Sequence, residues 1–504
     1  MVGTLVRAMG RFVHILRVVV VCGVVAPAQA SRTDSGAGMA GGVRDGASPV
    51  VEISQAPRIG TWSCWLSNGV RLHAKTLAPA AEESFAIVVT ITGGELLEPP
   101  GRRGLADAAA SAWSLPKDPE GARAEVVRRY LDSQVRFRGV AHTDCLQLVL
   151  TGPEEDLGLA AEIARVLIEQ PGLDSSAFAG RVGSLRAGAE EALRDPGRMM
   201  IDALRPLSLP ASMSAARAFG LADVAALESP QGAGVAAEWL SGVLMQGSIE
   251  VGIASRVGSA EALGLVSSAF GPMTTRPRIG PETLREFREA APAPMKEAIS
   301  LRCERAPGEA PRPASLGVAF LGPHRERLAE RRALALATFI IDARAEAALN
   351  PRRAREAGDS MPRVRTYPVN PGARSAVSMV AIVLADREAD SARKDDVSPL
   401  IKDLATLERL ITELATIGPL PDELDEAKGA VARILAAQDL SADAWAIKLA
   451  TLTYDGLTPA SLANAIDSYQ AITIDEVRRT LAEWWTPTRE NSRADVTRIY
   501  VTTD

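Results

Sequence analysis

The order of expected elements runs through this chain twice, on either side of a proline-bearing stretch at residues 273–295. In the first half, Trp62-Ser63-Cys64-Trp65-Leu66 alternates as a strand, and Ser67-Asn68-Gly69 turns into Val70-Arg71-Leu72-His73. Asn-Gly between apolar runs predicts a hairpin, because both turn residues tolerate positive φ. Residues 85–91 are apolar at nearly every position and predict a buried strand. Residues 134–137 and 146–151 predict two more. Leu159, Ile163, Val166 and Leu167 give residues 157–170 helical spacing. A helical region at 184–204, broken at Asp195-Pro196-Gly197, a strand at 249–253 and a helix at 259–270 follow. The second half repeats this outline. It has strands near 299–303, 316–321, 375–384 and 498–502, and helices at 329–347 and 398–417. Ser398 with Pro399 opens one helix and Pro421 another; Thr473-Ile474-Asp475-Glu476 is a capping box. Two halves of about 200 residues with one element order imply an internal duplication.

With 47% apolar residues the chain can bury large cores, and with 4% aromatics it must pack them with Ala, Val and Leu. A net charge of −6 supplies no basic field for nucleic acid. Arg7, Arg11 and Arg17 precede the apolar run 18–25, and Ala28-Gln29-Ala30 is a cleavage site, so residues 1–30 read as a signal peptide. That run falls short of the roughly 20 residues of a membrane span. Val21 before Cys22 argues against lipoprotein processing. Residues 31–50, rich in Gly, Ser and Ala, read as a flexible leader. The expected product is exported, to the periplasm or beyond, with one domain at 51–272, a linker at 273–295 and a second domain at 296–504. Its Cys64, Cys145 and Cys303 read as small buried hydrophobes. A Cys64–Cys145 bridge is open to an exported chain.

The chemistry centres on Glu98-Pro99-Pro100-Gly101-Arg102-Arg103-Gly104-Leu105-Ala106-Asp107-Ala108-Ala109-Ala110-Ser111. This stretch resembles the active-site helix of the insulinase/pitrilysin-like zinc peptidases, relatives of mitochondrial processing peptidase. In that family an acidic residue, a short Pro/Gly linker and Gly-Leu-Ala lead into H-x-x-E-H, where two His bind zinc and the Glu activates water. Asp107, Ala110 and Ser111 stand at those three places. Other segments resemble the family in order: residues 66–72 its opening hairpin, 249–271 the strand and helix closing its first domain, Glu423-Leu424-Asp425-Glu426-Ala427-Lys428 a late helix, and 471–477 the start of the last one.

The resemblance implies an α+β fold of two similar domains, each an antiparallel-rich sheet with helices on one face. It also implies a chamber that holds an extended peptide as an added strand. It does not supply a metal site. Zinc hydrolysis takes about three protein ligands and an open position. His73, His142 and His324 of the mature chain are scattered, and no H-E-x-x-H or H-x-x-E-H occurs. Asp107, Glu190 or Glu191 and a distant His are the remaining candidate metal set, with Glu190-Glu191 roughly where the family's third ligand would fall; each carboxylate also reads as an ordinary cap or solvated group. A second family signature, R-E-x-x-G-x-x-Y, is nearest to Arg355-Glu356-Ala357-Gly358-Asp359-Ser360-Met361. It is one residue short, with Met361 in place of Tyr; Arg355 is the candidate substrate contact and Tyr367 a possible substitute. Trp484-Trp485 reads as core or a packing ridge, with an interface anchor as the alternative.

No P-loop, nucleophile elbow or phosphate cradle is present. The leading expectation is therefore a catalytically inactive homologue with no cofactor, acting as partner of an active zinc subunit or as a peptide-binding protein. Two alternatives stand beside it. One is an active metalloendopeptidase with an atypical zinc site; the other is a structural envelope protein.

Overall fold

Two mixed sheets carry the chain, and both follow one connectivity. A computed structural model describes residues 50–78, 84–195, 198–199, 202, 219–288, 298–303, 315–320, 322–323, 327–349, 363–369, 377–383, 398–438, 441–485 and 496–503. The first sheet contains β1 (Val50–Ala56), β2 (Thr61–Leu66), β3 (Arg71–Thr76), β4 (Phe85–Thr92), β6 (Arg136–Ala141), β7 (Cys145–Gly152) and β9 (Ile249–Ser255), in the order β1-β2-β3-β9-β4-β7-β6. A separate ribbon joins β5 (Trp113–Ser114) to β8 (Gly172–Leu173). The second sheet contains β10 (Ala298–Cys303), β11 (Ser315–Phe320), β12 (Arg363–Val369), β13 (Val377–Val383) and β14 (Val496–Thr503), in the order β10-β14-β11-β13-β12.

In each sheet the opening strand lies parallel to the closing strand (β3 with β9, β10 with β14), and every other pairing of the shared motif is antiparallel. Read as first, last, second, fourth and third strand, the two motifs coincide. The duplication expected from element order is thus present as one topology used twice, with β1 and β2 added to the first sheet.

One face of the first sheet packs on helices. The set comprises α1 (Leu105–Ser111), α2 (Ala122–Leu131), α3 (Leu157–Glu169), α4 (Ser175–Ala192), α5 (Leu221–Leu227), α6 (Gly232–Gln246) and α7 (Ser259–Phe270). Ile87, Leu148 and Ile253 on the sheet meet Ile163, Val166 and Leu263 on the helices in one core. The opposite face is also apolar, with Ala86, Val88, Val149 and Ala254. A strand apolar on both faces needs cover on both, and the cover comes from the other half of the chain. Helix α12 (Ala442–Ala450), which follows α8 (Pro281–Arg288), α9 (Leu328–Leu349), α10 (Ser398–Thr416) and α11 (Pro421–Gln438), lays Trp445, Ala446 and Leu449 there. Gly252 of β9 permits the contact, since a Cβ on it would fall 2.1 Å from Ala446 O. Helices on one face of the sheet, as the resemblance implies, are therefore supplemented by one helix on the other.

The second core joins Phe320, Leu336, Ile340, Leu407, Ile411 and Leu481. It includes Trp485, whose ring stands edge-on to Phe320 at 5.5 Å and whose Nε1 donates to Thr412 Oγ1 at 3.1 Å. The neighbouring Trp484 donates to Glu330 at 3.3 Å, so this pair does pack as a ridge. Helix α13 (Ile474–Trp484) opens with the expected capping box: Glu476 N donates to Thr473 Oγ1 at 3.2 Å and Thr473 N to Glu476 Oε2 at 2.7 Å. Of the proline-bearing stretch, residues 273–288 are described. They hold α8 and bury Ile279 and Leu284 beside Cys145 and Tyr454.

Cys64 and Cys145 are buried and not joined in a disulfide. They sit on β2 and β7, four strand positions apart in the first sheet. At ~4.8 Å per strand that is roughly 19 Å, far beyond disulfide reach. The bridge considered from the sequence is excluded. Burial pushes the Cys64 thiol up to about 12. Residues 1–49, His324 and residues 351–362 with Arg355 and Met361 lie outside the described residues, and Tyr367 is placed only as the β12 register partner of Met379.

Candidate functional site

Helix α1 reaches the edge of the first sheet because its residues are small. Ala106, Ala108, Ala109 and Ala110 are buried, and the helix lies so close to β6 that a Cβ on Gly139 would fall 2.2 Å from Ala110 O. Glu98 fixes the start of the helix. Its Oε1 accepts from Ala106 N at 3.0 Å, satisfying one of the free amides of the first turn. Burial, reinforced by nearby Glu95, pushes the Glu98 carboxyl up to about 8, against the pull of the Ala106 amide and Arg103. Glu98 is therefore mostly protonated at neutral pH.

On this frame Asp107 is half-buried and meets a cation. Arg181 of α4 donates from Nη2 to Asp107 Oδ2 at 2.6 Å. Ala110 is buried and has no ligating atom, and Ser111 is exposed. Glu190 and Glu191 are exposed further along α4. At ~1.5 Å per residue they lie roughly 13–15 Å along the axis from Arg181, so Asp107 meets a guanidinium instead of a second carboxylate. Among the described residues no three His, Cys, Asp or Glu side chains are grouped as a metal would require. Among the described residues the donor set around α1 does not fit zinc.

Sequence reasoning missed Arg181. Nothing in its spacing distinguishes it from other helix-surface arginines; only the packing of α4 against α1 brings it to Asp107.

The described histidines, His73 and His142, are used elsewhere. His142 Nε2 and Gln147 Oε1 are 2.8 Å apart across the β6–β7 turn. His73 is sealed in the sheet face covered by α12. Its Nδ1 is 2.7 Å from Ser63 Oγ and its Nε2 3.0 Å from Glu250 Oε1. Burial holds His73 below its ordinary range. The neutral ring then donates from Nε2 to Glu250 and accepts the Ser63 hydroxyl at Nδ1. Ser63, His73 and Glu250 have the composition of a nucleophile, base and acid. Their exposures of 4%, 0% and 0% leave no room for a substrate, so the trio braces the fold. Glu250 also accepts from Thr453 N at 3.1 Å and Thr453 Oγ1 at 2.8 Å, and Arg71 lies 3.5 Å away. Thr453 follows α12, so this buried network fastens the second half of the chain to the first sheet.

The outer edge of β6 runs beside α1. It has one strand neighbour, β7, among the described residues. His142 N donates to Cys145 O at 2.8 Å. In an antiparallel ladder inward- and outward-facing backbones alternate. With Val140 opposite Gln147 and Arg138 opposite Val149, the amides and carbonyls of Phe137, Gly139 and Ala141 point away from the sheet. They form a free template for one more strand.

No family profile matches the sequence, and no curated protein matches it by sequence. Solved structures do. The periplasmic protease PqqL from Escherichia coli superposes with a TM-score of 0.66 at 14% identity, over 91% of this chain and 46% of that one. The inactive domain of an M16 peptidase from Pseudomonas fluorescens gives 0.64 at 13% identity, over 90% of this chain and 99% of that one. A mutant of the ferredoxin protease FusC in complex with Arabidopsis ferredoxin gives 0.62 at 15% identity, over 95% of this chain and 49% of that one. The chain thus spans about half the length of the two proteases and nearly all of the inactive domain. The duplicated topology, with α1 against the β6 edge, is the fold of the M16, insulinase-like peptidases.

Proposed function

We propose that this chain is a catalytically inactive homologue of the insulinase-like peptidases that holds extended peptides on the β6 edge, as the non-catalytic partner of an active zinc subunit. One observation carries the reading: Arg181 occupies Asp107 on the very helix that would supply zinc ligands. A cation already paired with the only carboxylate on α1 disfavours a second cation there. The backbone template of β6 depends on neither residue and stays available. The span matched here is about half the length of PqqL and FusC. Export rests on the leader and cleavage site in the sequence. No helix among the described residues is long and apolar enough to cross a membrane.

The test is the zinc content and peptidase activity of the purified mature chain, residues 31–504, after dialysis in metal-buffered solution. The expected result is well below one zinc per chain, no cleavage of unfolded peptides that a chelator suppresses, and measurable peptide binding. One tightly held zinc with chelator-sensitive cleavage would overturn the proposal.

A further inference from the structure

The β6 edge has a charge pattern that the peptide-binding reading does not use. Strand alternation places Arg136, Arg138 and Val140 on the face toward α12, and Phe137, Gly139 and Ala141 on the face toward α1. Arg138 lies 3.7 Å from Asp443 at the start of α12, with its side chain 48% exposed. Arg136 is exposed, and among the described residues no carboxylate lies within the 4 Å of an ion pair. Its surroundings make this distinctive. On the adjacent α2, Arg123, Arg128 and Arg129 each have a glutamate partner (Glu169, Glu125 and Glu162). In a chain of net charge −6, unmatched basic charge is not the general state of the surface.

We propose that β6 takes an extended peptide with acidic side chains at alternate positions, which pair with Arg136 and Arg138. The inference rests on the peptide-binding reading above and names the ligand class of that same edge. The geometry follows from the ladder. A strand added to β6 bonds to the outward amides and carbonyls of Phe137, Gly139 and Ala141. In an antiparallel pairing the residues opposite Arg136 and Arg138 share their face, with Cβ atoms about 4.5–5.5 Å apart. Carboxylates there meet one guanidinium with no described acidic partner and one shared with Asp443. The alternate peptide residues face α1, where Gly139 admits only the closely packed helix backbone. Charged side chains on an edge strand can also serve merely to deter pairing. That role requires that no peptide bind at all.

The experiment is fluorescence anisotropy of the mature chain with three fluorescein-labelled ten-residue peptides. They share one β-forming sequence and carry Glu, Gln or Lys at alternate positions. The Glu peptide is expected to bind about tenfold tighter than the Gln peptide at low ionic strength, and the preference to shrink with salt. Arg136→Glu should abolish the preference and favour the Lys peptide. This exposed substitution spares the core, and circular dichroism of the variant checks its fold. Ala141→Pro, which deletes one outward amide at a position where an edge strand accepts proline, should weaken all three peptides alike. Equal binding of the Glu and Gln peptides, or a preference unchanged in Arg136→Glu, would overturn the acidic-ligand inference and leave peptide binding intact. Binding of none of the three would overturn peptide binding itself.

Discussion

Thr453 donates both its backbone amide and its hydroxyl to the carboxylate of Glu250, joining residues 203 positions apart across the two halves of the chain. The same hydroxyl accepts from Arg71 Nη1 at 2.5 Å. The brace is polar and buried, so its parts are expensive to lose singly. Thr453→Val keeps shape and amide but removes the hydroxyl. It should cost about 1–3 kcal/mol, because Glu250 and Arg71 then lose a partner away from water. Urea unfolding of the variant measures this. An unchanged midpoint would show that the Thr453 hydroxyl contributes nothing to holding the halves together.

His73, in the same network, predicts how stability responds to acid. Its folded pKa lies below the ordinary value near 6.5 that it regains on unfolding. As pH falls through 6.5 the unfolded chain takes up a proton that the folded chain refuses. The contribution of His73 is therefore complete above about pH 6.5 and lost progressively below it, at up to about 1.4 kcal/mol per pH unit. His73→Gln should flatten this part of the profile. Urea midpoints of both proteins between pH 5 and 7.5 decide the point; parallel curves would rule it out.

The sequence carried the fold further than the site. Periodicity placed β4, β7, α3 and α7 nearly to the residue because each buries one continuous apolar pattern. Helix α4 begins nine residues before the expected helical region. Its start is set by Asp174, whose carboxylate accepts from Ser176 N and Ala177 N, and the helix has few buried residues to give it a pattern. Helix α12 was not legible as a partner of the first sheet. No helix is expected from the sequence at residues 442–450, and the missing Cβ of Gly252 shows its seat only once the fold is known. Asp107, Ala110 and Ser111 were placed correctly on one helix by the flanking motif. Arg181 and the Ser63–His73–Glu250–Thr453 network were not visible, because they depend on contacts between segments far apart in the chain.

Glu98 predicts the opposite slope to His73. Its carboxyl is raised to about 8 in the folded chain and returns to an ordinary value, about 4.3, on unfolding. Between those limits the folded chain holds a proton that the unfolded chain has released. Its contribution is fully present below the lower value and lost as pH rises through the higher one. Glu98→Gln mimics the protonated form and keeps an acceptor for Ala106 N. The variant should match the parent near pH 5 and exceed it in stability at pH 9. A parent more stable than the variant at pH 9 would mean that Glu98 is ionised in the fold.

Gly252 offers the sharpest test of how the halves are joined. A methyl group there would sit 2.1 Å from Ala446 O and 2.5 Å from Ala450 N, both backbone atoms of a helix, so no rotamer change relieves it. Helix α12 would have to lift from β9. Crowding of this kind typically costs about 1–3 kcal/mol. Lifting the helix would also draw Thr453 from Glu250, so Gly252→Ala and Thr453→Val should be less than additive when combined. Gly258→Ala is the control, because nothing lies within 4 Å of its Cβ and its φ of −53° suits alanine. Thermal melts of the two single glycine variants and of the Gly252→Ala/Thr453→Val double should show a large loss for Gly252→Ala, little change for Gly258→Ala, and a double-variant loss smaller than the sum. Strict additivity would mean that α12 and the Glu250 brace hold the two halves independently.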